Sequence, residues 1–383
     1  MLNRKHYQII FWTSSIIILI FTGCFGSPQG KPEIKPKIKV GLVLAETTTE
    51  RNQYLLAKIK ESAKSQNIKI IEGDSKNNSE QQKKQIEKMI TEKVEVVIMQ
   101  PINSDAAKDF ISMLEEQNIK IIVIDLLPEN VSVDAFIAPD YVRAGELQAQ
   151  YILSQGIELN PLILTGEPNS VSGIILPGNI NQLKNSPFVK GMVVKEVPDQ
   201  SDIKAYEISK SEYSKNSPNT IISHYEQYTS GIMKFLKETK LEKKVTFVTM
   251  DINKESLKDI KEGNLIAVDT MPNLLAQVIL ETTDSLLKTD SWKYDMQINN
   301  GTALVPAKYT PVRIINTENI YLLKERFSEL EELINSNQKT PEKQETNSEK
   351  ENKQTKLKIK TNDGKEYEVT IPGEIEKIEM MPE

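Results

Sequence analysis

Reactive side chains are scarce in this chain. Of its 383 residues one is cysteine, and His6 and His224 are the two histidines. One thiol leaves no internal disulfide and no cysteine-rich metal site, and two distant histidines argue against a histidine-built metal centre or a Ser–His triad. Gly41 stands isolated on the first apolar run, so no phosphate-cradling loop follows it and a dinucleotide site is not indicated. A basic excess is missing too: the formal charge of −6 speaks against a dedicated nucleic-acid binder. No internal repeat is visible. Between Asn335 and Lys356 there is no apolar residue, so nothing there can build a core, and 335–356 reads as a disordered linker.

What remains is an ordinary soluble body, 38% hydrophobic and 27% charged, long enough for two lobes. At its amino terminus, residues 1–23 read as an export signal. Arg4, Lys5 and His6 precede an apolar run from Ile9 to Phe21, shorter than the roughly 20 residues of a comfortable membrane span. The run ends Phe21-Thr-Gly-Cys24, which resembles a bacterial lipobox with phenylalanine where leucine is usual. A diacylated Cys24 would carry two chains, enough for stable anchoring. Residues 24–37, rich in proline, glycine and charge, then read as a tether.

The body is organised around Val94 to Tyr151. A β-branched run at Val94–Met99 predicts a buried strand, and Ser104 and Asp105 can cap a helix carrying Ala107, Phe110, Ile111 and Leu114 inward. Ile119–Ile124 is a second buried strand ending on Asp125. Short connections imply a right-handed parallel crossover, with ligands beyond the carboxyl ends of the strands. Earlier strands are predicted at Ile38–Leu44 and Asn67–Glu72, each followed by a helix, the first burying Leu55, Leu56, Ile59 and Ala63, the second capped by Ser79. Ala135–Ala138 closes this lobe. A second lobe starts with a helix around Ala144–Ile152 and takes strands at Pro161–Thr165, Met192–Val197, Asn219–Ser223 and Val245–Thr249. Glu167–Ile174 reads as a loop. Beyond Thr317 a helix bearing Tyr321, Leu322, Phe327, Leu330 and Leu333 is predicted, and residues 357–383 read as a small β-hairpin module around Asn362–Lys365.

The Met99–Ala106 turn, Ile124-Asp125 and Ala138–Gly145 resemble the sugar-binding periplasmic proteins of the ribose and galactose type, and the likeness extends from about Lys39 to Ile320. It implies an α/β fold of two doubly wound parallel-sheet lobes joined by a three-crossover hinge, with lobe 1 at about 38–141 and 265–305 and lobe 2 at about 142–264 and 306–334. In this reading Leu265–Val268 returns to the first lobe and Thr310–Ile315 makes the last crossing. The resemblance further implies that Asp125 and Asp251, at strand ends of opposite lobes, accept hydrogen bonds from a sugar-like ligand, where charge-assisted bonds are the strong ones. Gln53, Tyr54 and Asp140 are expected beside the cleft, with Tyr225 and Thr270 where the family pattern has asparagine and glutamine. Leu55 and Leu56 stand at aromatic positions, Leu126 follows Asp125 where arginine is common, and the loop after Gly166 has no arginine. These departures point away from an ordinary pentose or hexose and leave open a less polar or larger ligand, or none.

His224 reads as a satisfied polar residue, and no motif places a nucleophile, metal set or acid–base pair. The expectation is therefore a non-enzymatic, cofactor-free, monomeric receptor. It would be lipid-anchored through Cys24 on the outer face of the bacterial cytoplasmic membrane, or periplasmic, and would serve the permease of an ABC transporter. The alternative is a ligand sensor that signals to a membrane kinase or chemoreceptor.

Overall fold

The computed structural model describes residues 38–301 and 303–335, and two further strands at 354–360 and 366–372. The export signal, the tether with Cys24, the greater part of the linker and a possible third strand through Ile375 and Ile378 lie outside the described residues. The first unit runs β1 (Ile38–Leu44), α1 (Glu50–Ser65), β2 (Ile68–Asp74), α2 (Ser79–Thr91), β3 (Val96–Met99), α3 (Ser104–Glu115), β4 (Lys120–Ile124) and β5 (Ala135–Pro139). The second runs α4 (Tyr141–Leu153), β6 (Pro161–Thr165), α5 (Val171–Leu183), β7 (Val193–Glu196), α6 (Asp202–Asn216), β8 (Thr220–Ser223), α7 (Thr229–Glu238), β9 (Thr246–Met250), α8 (Leu257–Lys261) and β10 (Ile266–Asp269). The chain then returns through α9 (Pro272–Thr289), β11 (Met296–Asn299) and β12 (Leu304–Thr310), and crosses again to β13 (Arg313–Ile315) and α10 (Leu330–Asn335). A separate pair, β14 (Gln354–Lys360) and β15 (Glu366–Pro372), is antiparallel.

Among the described residues the strands form one sheet in the order β11-β12-β5-β4-β3-β1-β2 and a second in the order β13-β10-β9-β8-β6-β7. Within each lobe the first five strands stand in the order 2-1-3-4-5, all parallel. The α/β class with two doubly wound lobes, a three-crossover hinge and a small β appendage is therefore what the chain adopts. Helices cover both faces, which is why the central strands read as continuous apolar runs. In lobe 1, Val43, Val97, Phe110 and Phe136 pack on one face, while Leu42, Ile59, Ile98 and Ile279 pack on the other. In lobe 2, Phe235 and Phe247 are fully buried among Leu162, Ile221 and Leu236.

Three crossings join the lobes, at Pro139–Tyr141, Asp269–Pro272 and Thr310–Arg313. The second falls later than the sequence predicts. Ile266–Asp269 pairs in parallel with β9 and stays in lobe 2, and only α9 returns to pack on α1. A buried apolar strand looks the same in either sheet, so its pattern cannot say which one it joins. Strand β12, between β11 and β5, pairs in parallel with β5 and keeps 304–310 in lobe 1. The helical caps also sit one residue earlier than expected: the side chains of Asn78 and Asn103 accept from the amides of Gln81 and Ala106. After Thr317 there is no single helix. A 3-10 turn at Ile320–Leu323 buries Ile320 and Leu323 and exposes Tyr321 and Leu322, and α10 is short.

Helix α5 takes over the predicted loop from Val171 onward, leaving Glu167–Ser170 as the loop before it. Gly173, Pro177 and Gly178 disguise it, since all three disfavour helix interiors. One of them, Gly178, is there for contact with α4, and Gly145 of α4 answers it. A Cβ on Gly178 would lie 2.2 Å from the Val142 carbonyl oxygen, and one on Gly145 of α4 would lie 2.2 Å from that of Ile175. The two helices therefore touch backbone to backbone. Gly178→Ala should force them apart at a cost of about 1–3 kcal/mol. A urea titration should show the midpoint falling; an unchanged midpoint would mean that the helices do not meet this closely.

Candidate functional site

The carboxyl ends of both sheets face each other across a cavity of about 110 Å³, to which both lobes contribute. Asp125 follows β4 and Asp251 follows β9, so each ends the fourth strand of its lobe. Both adopt the left-handed backbone region, with φ of +68° and +53°. Aspartate tolerates that region better than most residues, and here it turns each carboxylate back toward the cleft.

Between them lies Arg51, in the first turn of α1. Its guanidinium is buried and gives Asp125 two bonds, from Nη2 to Oδ1 at 2.7 Å and from Nη1 to Oδ2 at 3.1 Å. The other Nη1 and Nη2 hydrogens go to Asn52 Oδ1 at 2.9 Å and Tyr141 OH at 3.3 Å, and Nε–H goes to Thr270 Oγ1 at 3.0 Å. All five donors are thereby used. Nε also stands 3.5 Å from Asp251 Oδ2. Burial alone would lower the Arg51 pKa, but Asp125, Tyr141 and Asp251 together hold it above its ordinary value.

Asp125 is saturated as well. Besides Arg51 it accepts from Gln100 Nε2 at 2.6 Å and Tyr141 OH at 2.9 Å. Gln100 in turn accepts the Ala45 amide and, with Asn52, ties the ends of β1 and β3 to α1. Asp251 Oδ1 accepts the amide and hydroxyl of Thr270, whereas Oδ2 has only the long approach of Arg51. Burial raises the Asp251 pKa against the pull of Arg51 and Arg326.

Asp125, Asp251 and Tyr225 line the cavity. Thr270 stands behind it, touching Arg51 and Asp251. Gln53, Tyr54 and Asp140 do not line it: Gln53 is exposed and bonds the Thr48 carbonyl, Tyr54 borders a smaller pocket at the hinge with Arg313 and Arg326, and Asp140 caps α4 by accepting from the Arg143 amide. The sequence reading misses Arg51 and Asn52. Helical phase contains the signal, because Arg51, Asn52, Leu55, Ile59 and Ala63 share the inward face of α1 while Gln53 points out. The guanidinium that Leu126 and the Gly166 loop fail to supply comes from this helix.

His224 is buried and doubly bonded, with Nδ1 2.7 Å from Ser172 Oγ and Nε2 2.7 Å from Asn179 Oδ1. Burial drives its pKa down to about 3, so it is a neutral tie between β8 and α5. Tyr225 places its hydroxyl 2.9 Å from Ser170 Oγ, and its ring occupies the space where a Cβ on Gly166 would stand. Beside it, Glu226 is 7% exposed. Its Oε1 accepts the Glu50 amide of lobe 1 at 3.1 Å, and its Oε2 is buried without a partner. Burial first, then Asp251 and Glu46, push this carboxyl up to about 8.

A polar cleft between hinged, doubly wound lobes defines a two-lobed binding protein. The chain belongs to the periplasmic binding protein family: the model of the periplasmic binding protein domain matches residues 40–291. It is 24% identical over 309 residues to the D-xylose-binding periplasmic protein of Escherichia coli K12, covering 78% of this chain and 93% of that one. It is 22% identical over 295 residues to the ribose import binding protein of Bacillus subtilis, covering 74% and 93%. An ABC transporter solute binding protein from Bacillus halodurans, solved with bound myo-inositol, superposes with a TM-score of 0.66 at 18% identity, over 76% of this chain and 98% of that one. The family is one of binding proteins rather than enzymes.

The two perturbed groups set opposite pH dependences. Glu226 keeps its proton to about 8 in the fold but loses it near 4.5 when unfolded, so stability falls as pH rises through that window. His224 stays neutral down to about 3 but takes a proton near 6.5 when unfolded, so stability falls as pH drops through that window. Glu226→Gln should match the wild type near pH 4.5 and become steadily more stable than it toward pH 8, as read by denaturant titration. Parallel curves would show that Glu226 ionises normally.

Proposed function

We propose that this chain is an exported solute receptor that closes its lobes over a small polar, sugar-like ligand and presents it to an ABC-type membrane transporter, held at the membrane by lipid on Cys24. The observation that carries this reading is the cavity at the carboxyl ends of both sheets, whose floor is the Arg51 guanidinium seated between one aspartate from each lobe. A ligand that touches both walls binds the closed form better than the open one, and that difference couples binding to closure. The named ligands of the relatives, D-xylose, ribose and myo-inositol, support a hydroxyl-rich solute. In this assignment Asp251 contacts the ligand directly, Asp125 positions Arg51, and Tyr225 and Thr270 complete the wall from lobe 2. A second reading, a sensor lipoprotein acting on a membrane kinase or chemoreceptor, is favoured by the β14–β15 pair, which stands beyond the family match.

Two outcomes test the proposal. In a thermal-shift screen over sugars, polyols and nucleosides, a ligand at ~100 times its dissociation constant should stabilise the protein by about 2.7 kcal/mol. Asp251→Asn should weaken that ligand by roughly tenfold or more, for the loss of a charged hydrogen bond, with little change in ligand-free melting. Asp125→Ala, which strands a buried guanidinium, should destabilise the ligand-free protein by about 3–5 kcal/mol. An inert screen, or an Asp251→Asn variant with wild-type affinity, would count against the receptor. Separately, the wild type expressed in a bacterium should partition into detergent with its amino terminus blocked at Cys24, and Cys24→Ala should not; release after cleavage elsewhere would exclude the anchor.

A further inference from the structure

Among its charged side chains the cavity offers acceptors rather than donors. Arg51 is the single cationic side chain lining it among the described residues, and all five of its N–H groups are already given away. Four carboxyl groups line it: Glu46, Asp125, Asp251 and Glu226. Two of them are satisfied by the protein. Glu46 accepts from the amides and hydroxyls of Thr48 and Thr49 and from Asn52, and Asp125 is filled by Arg51, Gln100 and Tyr141. Among these carboxyl groups the open oxygens are Glu226 Oε2, buried with no partner, and Asp251 Oδ2, approached by Arg51 at 3.5 Å. A buried carboxyl oxygen left without a hydrogen bond is costly, so something should complete it.

We infer that the lobe 2 wall formed by Glu226 and Asp251 is a subsite for an ammonium group, and that the ligand is an amine-bearing sugar or polyol. The inference rests on the solute-receptor reading and narrows it. A hydroxyl brings an acceptor that would need a donor here, whereas an ammonium brings three donors and no acceptor. Among the described residues no three carboxyl, histidine or cysteine groups are arranged to hold a metal ion, which leaves a donor-rich organic cation as the better match.

The groups that face Glu226 are Asp251 and Glu46, the Glu50 amide, and Arg326 from behind Asp251. Burial, reinforced by Asp251 and Glu46, holds a proton on Glu226, and a cation at Oε2 would release it. Binding should therefore liberate protons near neutral pH, and affinity should rise between pH 6.5 and 8 for an amine that stays charged there.

Calorimetry at pH 6.5, where the amines are charged and Glu226 still holds its proton, tests this on the full chain with matched pairs: D-glucosamine with D-glucose, D-galactosamine with D-galactose, and glucamine with sorbitol. At least one amine should bind about tenfold or more tighter than its hydroxyl parent, as expected for a charge-assisted bond over a neutral one. Its enthalpy should depend on the ionisation enthalpy of the buffer. Glu226→Gln, which keeps the bond to the Glu50 amide and should fold, should erase the preference and the proton release. If parents bind as tightly as every amine, or if Glu226→Gln keeps the preference, the subsite is wrong while the receptor stands. If no member of either set binds and the wider screen is silent, the receptor reading falls and the subsite with it.

Discussion

The structure turns on one buried cation. Arg51 donates to Asn52 and Asp125 of its own lobe and to Tyr141 and Thr270 at two of the crossings, and it approaches Asp251 across the cleft. Breaking a buried pair by removing one partner costs several kcal/mol, because the remaining charge is left out of water. That cost fixes the ends of β1, β3 and β4 relative to α1, and it sets the electrostatics of the whole cavity. His224 in the wall remains neutral by burial, while Glu226 near it keeps one carboxyl oxygen without a partner. The site is thus built from saturated groups that hold shape and a few unsaturated ones that are free to bind.

Much of the fold is legible in the sequence, for a physical reason. Parallel strands covered on both faces must be apolar along their length, so β1, β3, β4, β6, β8 and β9 announce themselves as short β-branched runs. Where the environment is unusual, the signal fails. The edge strand β11 and its neighbour β12 expose Met296 and Leu304, so they carry no such run. Helix α5 is written in glycine and proline because its neighbour approaches at backbone distance. The membership of β10 depends on which sheet it joins, and a strand's own residues do not encode that.

The cleft is legible at its aspartates and illegible at its arginine. Asp125 and Asp251 end strands, and strand ends are where a parallel sheet puts ligands. Arg51 lies on a helix, two residues before Gln53, and only the rotational phase of α1 separates the side chain that enters the site from the one that leaves it. The same strand order also recurs in both lobes although no repeat is visible in the sequence. Topology is set by the pattern of burial, and many residue choices satisfy one pattern.

The three crossings are fastened to one another. The Asp140 amide donates to the Thr310 carbonyl at 2.9 Å, linking the first crossing to the third, and Arg313 meets Asp269 at 2.9 Å, linking the third to the second. One strand of chain would let the lobes swing, slide and twist. Three tied side by side act as a bar, and leave essentially a single angle as the coordinate for opening. Few rigid-body freedoms then remain to be frozen when the cleft shuts, so less of the interaction free energy is lost to ordering. The two walls would then meet in the same registration at each closure. Fidelity in recognition would on this account be stored well away from the ligand, in the backbone of the axle.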